Sequence, residues 1–286
     1  MPARPRLASY ATAHAVRRQR RVWSGRVASW DQHGSAGLAA VTAAVLAVAD
    51  AGPGDHVVDL GCGTGQLSLP LAEQGARVLA VDVSSAMVRQ LQAEARQRGV
   101  ASLDALALPV EELVLPAGSV DLVVSSYALH HLRDADKVRL VSAASGWLRP
   151  GGRMIIADMM IGRGGSHRDR AIIRSKVAAL ARKGPGGWWR IAKNAARYLL
   201  RVQERPVSMD AWTAMLTGSG FTQVTAATIV AEAGLVTGRR PDRPGPALPA
   251  RPGPGLPARP ARQSQHSGGR ARQVDGHGEA PARAPG

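Results

Sequence analysis

A glycine-rich turn between two apolar segments constrains the fold of this chain more than any other feature. Residues 57–65 read VVDLGCGTG, so a strand buried on both faces runs directly into the turn. Because glycine has no Cβ, the backbone of such a turn can approach a ligand closely. A second apolar run over residues 77–81 ends at Asp82, whose carboxylate can accept both hydroxyls of a ribose. With a helix from about Gln66 to Gln74 between them, the two strands predict a nucleoside-binding unit.

The spacing of the glycines indicates which kind of nucleoside is bound. The turn has glycine at positions 61, 63 and 65, followed by Gln66. A dinucleotide site instead has the pattern Gly-x-Gly-x-x-Gly, in which the helix N-terminus holds a pyrophosphate and the last glycine allows close packing. Since the sixth position is glutamine, the sequence disfavours a pyrophosphate ligand.

Four motifs in a consistent order resemble those of a known family. The turn, with Asp59 before it, resembles the first motif of class I S-adenosylmethionine-dependent methyltransferases. Three further matches follow in the family's order: VLAVDVSSAMV at 78–88, SVDLVVSSYALHHL at 119–132 and WLRPGGRMIIADMM at 147–160. The resemblance implies a Rossmann-like, doubly wound α/β fold with a seven-stranded sheet, and S-adenosyl-L-methionine as cofactor. The alternative is a related fold that binds another nucleotide.

The resemblance also implies which residues contact the cofactor. Pro109 stands where the family commonly has an acid that binds adenine, so the backbone N–H of Val110 and the carboxylate of Glu111 are the candidates at that end. The alternatives are that Glu111 is a solvated surface acid and that Met87 is a core residue instead of an adenine contact. The predicted cofactor-binding residues are Asp59, Gly61, Cys62, Gly63, Gly65, Asp82, Val83, Met87, Val110, Glu111 and Ser125.

Two adjacent histidines, His130 and His131, are the candidates for a catalytic base. They follow the fourth predicted strand on the side of the sheet where an acceptor would lie, and histidine titrates near neutral pH. A base is needed only when the acceptor carries a proton. Adjacent residues on a short helix point in different directions, so at most one of the two faces the acceptor. Packing or hydrogen bonding is the alternative role for both, and Tyr127 is expected to line the pocket or cap the methionine end.

The same motifs exclude some acceptors. Ser125-Ser126-Tyr127-Ala128 lacks the Asn/Asp-Pro-Pro-Tyr/Phe pattern of enzymes that methylate exocyclic amines of adenine, so a nucleic-acid substrate is disfavoured. Methylation at carbon 5 of a pyrimidine needs a cysteine nucleophile, and the one cysteine of the chain, Cys62, lies in the glycine turn. The remaining prediction is direct displacement onto an O, N, S or activated C atom of a small or lipid-like acceptor, without a metal ion.

An insertion at residues 162–203 is predicted to build substrate selectivity. Ile172, Ile173, Val177 and Leu180 make one apolar helical stripe, and Trp188, Ile191, Ala195, Tyr198 and Val202 make a second. One interpretation is a helical hairpin lid whose apolar face packs on the domain. The other is a basic amphipathic element at a membrane surface or against an anionic substrate.

The ends of the chain carry much of its net charge of +16. Residues 1–34 are expected to form a basic helical segment before a methyltransferase domain at 35–238, which ends in a helix and two antiparallel strands. The segment 239–286, rich in Arg, Pro and Gly, is predicted to be disordered because it has few residues that can form a core. Binding of this tail to RNA or anionic lipid is the alternative, and a non-catalytic or RNA-binding scaffold is the competing function. Without a signal peptide or a membrane-spanning run, we expect a cytoplasmic protein.

Overall fold

The computed structural model describes residues 36–162, 167–182, 184 and 205–242. Seven strands form one sheet in the order β3-β2-β1-β4-β5-β7-β6. The strands are β1 (His56–Leu60), β2 (Arg77–Asp82), β3 (Leu103–Ala107), β4 (Val120–Ser126), β5 (Leu148–Met159), β6 (Thr222–Thr228) and β7 (Ala233–Arg239). The described helices are α1 (Ala36–Ala49), α2 (Ser68–Glu73), α3 (Ser85–Gln97), α4 (Asp134–Trp147), α5 (His167–Ala181) and α6 (Met209–Gly218).

Both faces of the central strands are covered, as the continuous apolar runs of the sequence require. In β1, Val57 packs with α1 and α2 on one face, and Val58 packs with α4 and α6 on the other. Ile155 and Ile156 of β5 divide between the same two faces. Because side chains alternate along a strand, four or five consecutive apolar residues supply two hydrophobic cores at once.

The order of the strands produces the crevice in which a ligand can bind. Strands β1 to β5 are parallel, and β1 lies between β2 and β4, so the chain winds in opposite directions on the two sides of β1. Such a reversal leaves a gap at the carboxyl ends of β1 and β4. β7 is antiparallel to both β5 and β6, which closes the far side of the sheet.

The predicted α/β fold with a doubly wound, seven-stranded sheet is confirmed. The helix expected at 208–217 is α6, capped by the side chain of Ser208, and β7 and its antiparallel neighbour β6 are the two expected closing strands. β7 ends at Arg239, and the described chain continues to Asp242, past residue 238 where the sequence predicted the domain to end.

Parts of the predicted organisation lie outside the described residues. These are the basic segment 1–34, the second apolar stripe of the insertion and the tail from residue 243. The first stripe lies on α5, where Ile173 and Val177 remain accessible to solvent. Within the part of the chain that the structure describes, no helix has both the length and the apolar character needed to cross a membrane.

Candidate functional site

A cavity opens where β1, β2 and β4 end, at the crevice made by the reversal in strand order. It encloses about 880 Å³, its mouth included. Its walls come from the ends of these strands, the glycine turn, the turn after β3, the segment after β4 and the start of α1. The lining residues are Leu38, Asp59, Gly61, Cys62, Gly63, Gln66, Leu67, Asp82, Val83, Met87, Val110, Glu111, Ser126, Tyr127, Ala128, Leu129, His131 and Leu132.

The glycine turn is held in a conformation that other residues rarely adopt. Gly61 has a φ of +80°, and a Cβ on it would lie 2.2 Å from the Cβ of Ala128. The backbone N–H groups of Gly61 and Cys62 both donate to the carbonyl of Val81, which ties the turn to the end of β2. The turn therefore passes directly beside the segment that follows β4, and only glycine fits at this crossing.

Asp82 organises the turn and still has capacity for a ligand. Its two carboxylate oxygens accept from the backbone N–H groups of Gly63, at 3.0 Å, and Ser84, at 2.8 Å. Each carboxylate oxygen has two lone pairs, so each can accept one further hydrogen bond from the cavity. Burial raises the pKa of Asp82, and the two N–H donors oppose this shift. The arrangement suits a pair of vicinal hydroxyls.

Asp59 is a second carboxylate on the cavity wall and is almost fully buried. One of its oxygens accepts from the hydroxyl of Ser68 at 2.5 Å. Burial raises its pKa to about 7, the hydrogen bond from Ser68 lowers it, and the charge of Asp82 raises it further. Burial therefore makes the ionised form of Asp59 costly, and a positively charged ligand group beside it would favour that form.

Cys62 lies between these two carboxylates. Burial and then the charges of Asp59 and Asp82 raise the pKa of its thiol well above the ordinary value. A thiolate is the nucleophilic form of cysteine, so this thiol is a poor nucleophile at neutral pH.

The turn after β3 forms the end of the cavity where the sequence places adenine. A single 3₁₀ turn, Val110–Glu112, follows Pro109, and Val110 and Glu111 both line the cavity. Burial raises the pKa of the Glu111 carboxyl, and Asp136 and Glu112 add to this shift while Arg133 opposes it. Glu111 is therefore a partly buried acid at the cavity wall and not the solvated surface acid that the sequence left as an alternative.

The opposite wall begins where β4 ends. The Ser126 hydroxyl is buried and has no hydrogen-bond partner among the described residues, and Ser126 lines the cavity. Tyr127 has a φ of +49°, which turns the chain out of the strand. Burial, with the charges of Glu232 and Asp158, raises the pKa of Tyr127 to about 12. Tyr127 therefore remains a hydrogen-bond donor at neutral pH.

The two histidines after β4 have different surroundings. His130 is buried, and Asp158 at the end of β5 accepts from its backbone N–H at 2.8 Å and contacts its Nδ1 at 2.5 Å. His131 lines the cavity, with its ring centroid 4.0 Å from that of His130. As the sequence predicted, only one of the pair faces the cavity, and it is His131.

A buried lysine joins this wall to the chain that returns from the insertion. Lys137 is fully buried, and its Nζ donates to the carbonyls of Leu132, at 3.0 Å, and Arg205, at 2.6 Å. Its charge is paired with Asp134 at 3.1 Å. The backbone N–H of Arg205 also donates to the carbonyl of His130. Lys137 and Arg205 therefore fix the segment that carries His131.

Most of the predicted site residues lie on the cavity wall, and three do not. Gly65 packs against the side chains of Leu69 and Leu91, where a Cβ would meet Leu91 at 2.3 Å. Ser125 is buried, and its hydroxyl donates to the carbonyl of Leu60, which ties β4 to β1. His130 is held by Asp158, as described above.

Several lining residues were not predicted. The sequence predicts that the fourth strand ends at Ser125, whereas β4 runs to Ser126, so Ser126 reaches the cavity and Ser125 does not. Extending the predicted strand by one residue, to the second of the two serines, would have identified it. Leu38 lies on α1, far from every motif, so nothing in the local sequence indicates its place. The remaining unpredicted wall residues are Gln66, Leu67, Ala128, Leu129 and Leu132.

Comparison with known proteins agrees with this geometry. Residues 57–152 match the model of a family described as a methyltransferase domain. An uncharacterized methyltransferase of Geobacillus thermodenitrificans (strain NG80-2) is 32% identical over 132 residues, which are 46% of this chain and 56% of the relative. A ubiquinone biosynthesis O-methyltransferase of Methylobacterium sp. (strain 4-46) is 38% identical over 103 residues, 36% of this chain and 40% of the relative. The chain thus spans about half the length of curated relatives that it matches.

The fold also matches solved structures. The 1,6-didemethyltoxoflavin-N1-methyltransferase of Burkholderia thailandensis superposes with a TM-score of 0.58 at 21% identity, covering 84% of this chain and 94% of that protein. At this identity the likeness shows the fold alone. Strand order, cavity position and the family match therefore agree with one another.

Proposed function

Since the chain carries a methyltransferase domain with the class I, Rossmann-like fold, we propose that it transfers a methyl group from S-adenosyl-L-methionine to a small-molecule acceptor. The observation that carries the proposal is the cavity wall, on which Asp59, the glycine turn, Asp82 and Glu111 all lie. Together they offer acceptors for ammonium and hydroxyl groups along one cleft. These are the polar groups of a nucleoside linked to an amino acid.

The residues present suit the cofactor. Asp82 would hold the ribose hydroxyls with the free lone pairs of its two oxygens. Asp59, whose pKa of about 7 makes it responsive to a nearby cation, would lie against the methionine ammonium. The turn at Val110 and Glu111 would hold adenine, and Met87, which is buried on the wall, would pack beside it. When bound, the cofactor supplies an activated sulfonium methyl group.

The other residues of the chain would orient the acceptor and exclude water. A direct displacement needs the electron pair of the acceptor aligned with the methyl group more than it needs a protein nucleophile. Tyr127, protonated at neutral pH, would donate a hydrogen bond to the acceptor. His131, which lines the cavity, would accept a proton from a hydroxyl or amine.

Two observations bear on the nature of the acceptor. Apolar side chains of Leu38, Leu129 and Leu132 share the wall with His131 and Tyr127. Relatives in Acinetobacter baylyi and Methylobacterium are named as ubiquinone biosynthesis O-methyltransferases. Both observations support a small, partly apolar or lipid-like acceptor with a hydroxyl, amine or thiol group.

Calorimetric titration tests cofactor binding directly. The full chain is titrated with S-adenosylmethionine and, separately, with its demethylated product. We expect binding of both with one site per chain. A correctly folded protein that binds neither compound would overturn the proposal, and would leave a non-catalytic or RNA-binding role.

Methyl transfer is tested with cofactor carrying a labelled methyl group and a panel of phenols, catechols, amines and thiols. For an acceptor that carries a proton, His131→Asn should lower kcat by about 100-fold, the scale of general base catalysis. Its cofactor affinity should remain close to that of the wild type. His130→Asn is the matched variant, and its principal effect should be on stability because His130 is buried against Asp158. If His131→Asn has the same kcat as the wild type, His131 does not act as the catalytic base.

A further inference from the structure

Helix α5, at the start of the insertion, exposes an unusual combination of side chains. Ile173 and Val177 lie four residues apart, on one side of the helix, and are 36% and 37% exposed. Arg170 and Arg174 are also four residues apart, lie on the same side and are exposed. Aliphatic and guanidinium groups thus share one exposed face, whereas a helix packed on a domain buries its apolar side.

The charges exposed on this helix have one sign. Its acid, Asp169, is buried, with one carboxylate oxygen accepting from the backbone N–H of Gly162 at 2.9 Å. Arg170 and Arg174 on the helix are exposed and cationic, and so is Arg182, one residue past its end. A surface that combines arginines with aliphatic side chains is complementary to anionic headgroups over acyl chains.

The helix starts near the edge of the sheet at which the cavity opens. Asp169 lies in its first turn and is tied to Gly162, three residues after β5 ends at Met159. β5 is parallel to β4, so both strands end at the edge where Ser126 and Tyr127 line the cavity. A ligand taken from a surface in contact with α5 would therefore have a short path to the cavity.

We infer that α5 binds the surface of an anionic lipid bilayer. Ile173 and Val177 enter the boundary between headgroups and acyl chains, and Arg174 contacts lipid phosphates. Arg182, one residue past the end of the helix, adds positive charge near the anionic surface. The binding is weak and reversible, because the inserted area is small and the electrostatic part is screened by salt. The same contact brings a lipid-like acceptor to the mouth of the cavity, and this second statement rests on the proposed function.

Flotation of the full chain with vesicles tests the bilayer contact without cofactor or methyl transfer. Vesicles of phosphatidylcholine with 30% phosphatidylglycerol, a composition of roughly one anionic lipid in three, are compared with phosphatidylcholine alone. We expect flotation with the anionic vesicles at low salt and little with the neutral ones. Arg174→Glu/Arg182→Glu should lower the partition coefficient by roughly 30-fold or more, since each basic residue near an anionic surface contributes about one kcal/mol.

Two further variants locate the contact on α5. Arg89→Glu/Arg96→Glu on α3 changes the net charge by the same amount at exposed positions, and should float like the wild type. Ile173→Ser/Val177→Ser should weaken flotation by about fivefold without any change in charge. Circular dichroism and melting temperature of each variant verify that the fold is kept.

Three results would overturn the inference. The first is absence of flotation with anionic vesicles. The second is equal loss in the α5 and α3 charge variants, since binding would then follow net charge alone. The third is binding of RNA that depends on Arg174 and Arg182 with no binding to vesicles. Because flotation uses no cofactor, failure here is distinguishable from failure of cofactor binding, which calorimetry reports.

Discussion

The two halves of the cavity are built in different ways. On the side of β1 and β2, the wall comes from residues close in sequence: Asp59 in β1 lies two residues before the glycine turn, and Asp82 contacts Gly63 from 19 residues away. On the side of β4 and β5, the wall depends on distant partners. Asp158 holds His130 across 28 residues, and Lys137 holds Arg205 across 68.

The difference shows which part of the site is specified by local sequence and which part by contacts between distant segments. The half proposed for the cofactor is a local motif whose geometry follows from turn conformation and strand direction. The half proposed for the acceptor is fixed by buried polar contacts between elements, so changes in one element alter a wall formed by another. Four substitutions test this division, in order of decreasing expected effect.

Gly61→Ala tests whether the local turn tolerates a side chain. The added Cβ would lie 2.2 Å from that of Ala128, at a φ of +80°. We expect the free energy of unfolding to fall by roughly 3 kcal/mol, from overpacking together with left-handed backbone strain. Urea denaturation followed by circular dichroism measures it.

The double variant Gly61→Ala/Ala128→Gly separates these two contributions. Removing the Ala128 methyl group relieves the overlap and leaves the backbone strain, so about half of the lost stability should return. If Ala128→Gly restores nothing, the crossing of the turn and the segment after β4 is not the cause of the loss.

Asp82→Ala tests the proposed ribose contacts. The substitution removes the acceptor for two hydroxyls and for two backbone N–H groups, so cofactor affinity should fall by roughly 100-fold. Calorimetry with the demethylated cofactor gives the dissociation constant. Asp104→Ala is the control, because Asp104 is exposed on the neighbouring strand β3. Equal affinities of wild type and Asp82→Ala would mean that the carboxylate does not contact the ligand.

Lys137→Met tests the wall that depends on distant contacts. The side chain keeps its length, but the carbonyls of Leu132 and Arg205 lose a buried donor, and stability should fall by about 2 kcal/mol. Cofactor affinity should change by less than about twofold, since the turn and Asp82 are untouched. Val138→Met, at an exposed position of the same helix, should have little effect.

The expected independence of the two halves would be contradicted if Lys137→Met lowered the free energy of cofactor binding by as much as its free energy of unfolding. The two halves would then be coupled through the segment after β4. Denaturation and calorimetry on the same preparation distinguish these outcomes.

Asp59→Asn should have the smallest effect, and one that depends on pH. In the folded chain this carboxyl keeps its proton up to about pH 7, whereas in the unfolded chain it ionises near the ordinary value of 3.8. Stability therefore falls as pH rises between these values, and the penalty is complete above pH 7. Asparagine removes the ionisation and can still accept from Ser68.

The variant should therefore gain stability relative to the wild type between pH 5 and pH 6, by about 1 kcal/mol, because over this unit the carboxyl is protonated in the folded chain and ionised in the unfolded chain. Urea denaturation at both pH values measures the difference, and Asp104→Asn is the exposed control. A gain that is the same at pH 5 and pH 6 would show that ionisation of Asp59 does not contribute to it.

The same difference explains why the sequence does not indicate which of two neighbouring residues faces the cavity. Ser125 and Ser126 have the same side chain, and only the extent of β4 decides that Ser126 reaches the cavity. His130 and His131 are likewise equivalent in sequence, and Asp158 on another strand decides that His130 is held in the core. Ile173 and Val177 belong to a clear helical stripe, yet no pattern in the sequence indicates whether another element covers it.

The sheet, the glycine turn and the two carboxylates on its flanks follow from the sequence alone, and from them the sequence predicts a cofactor class. These features depend on residue type and on spacing within about 25 residues, the range over which turn conformation and strand direction act. The tertiary structure alone decided which serine and which histidine face the cavity, that Leu38 completes its wall, and that a buried lysine fixes the returning chain. Those outcomes depend on contacts between segments far apart in sequence, where the energy of burial and hydrogen bonding, and not local preference, selects one arrangement.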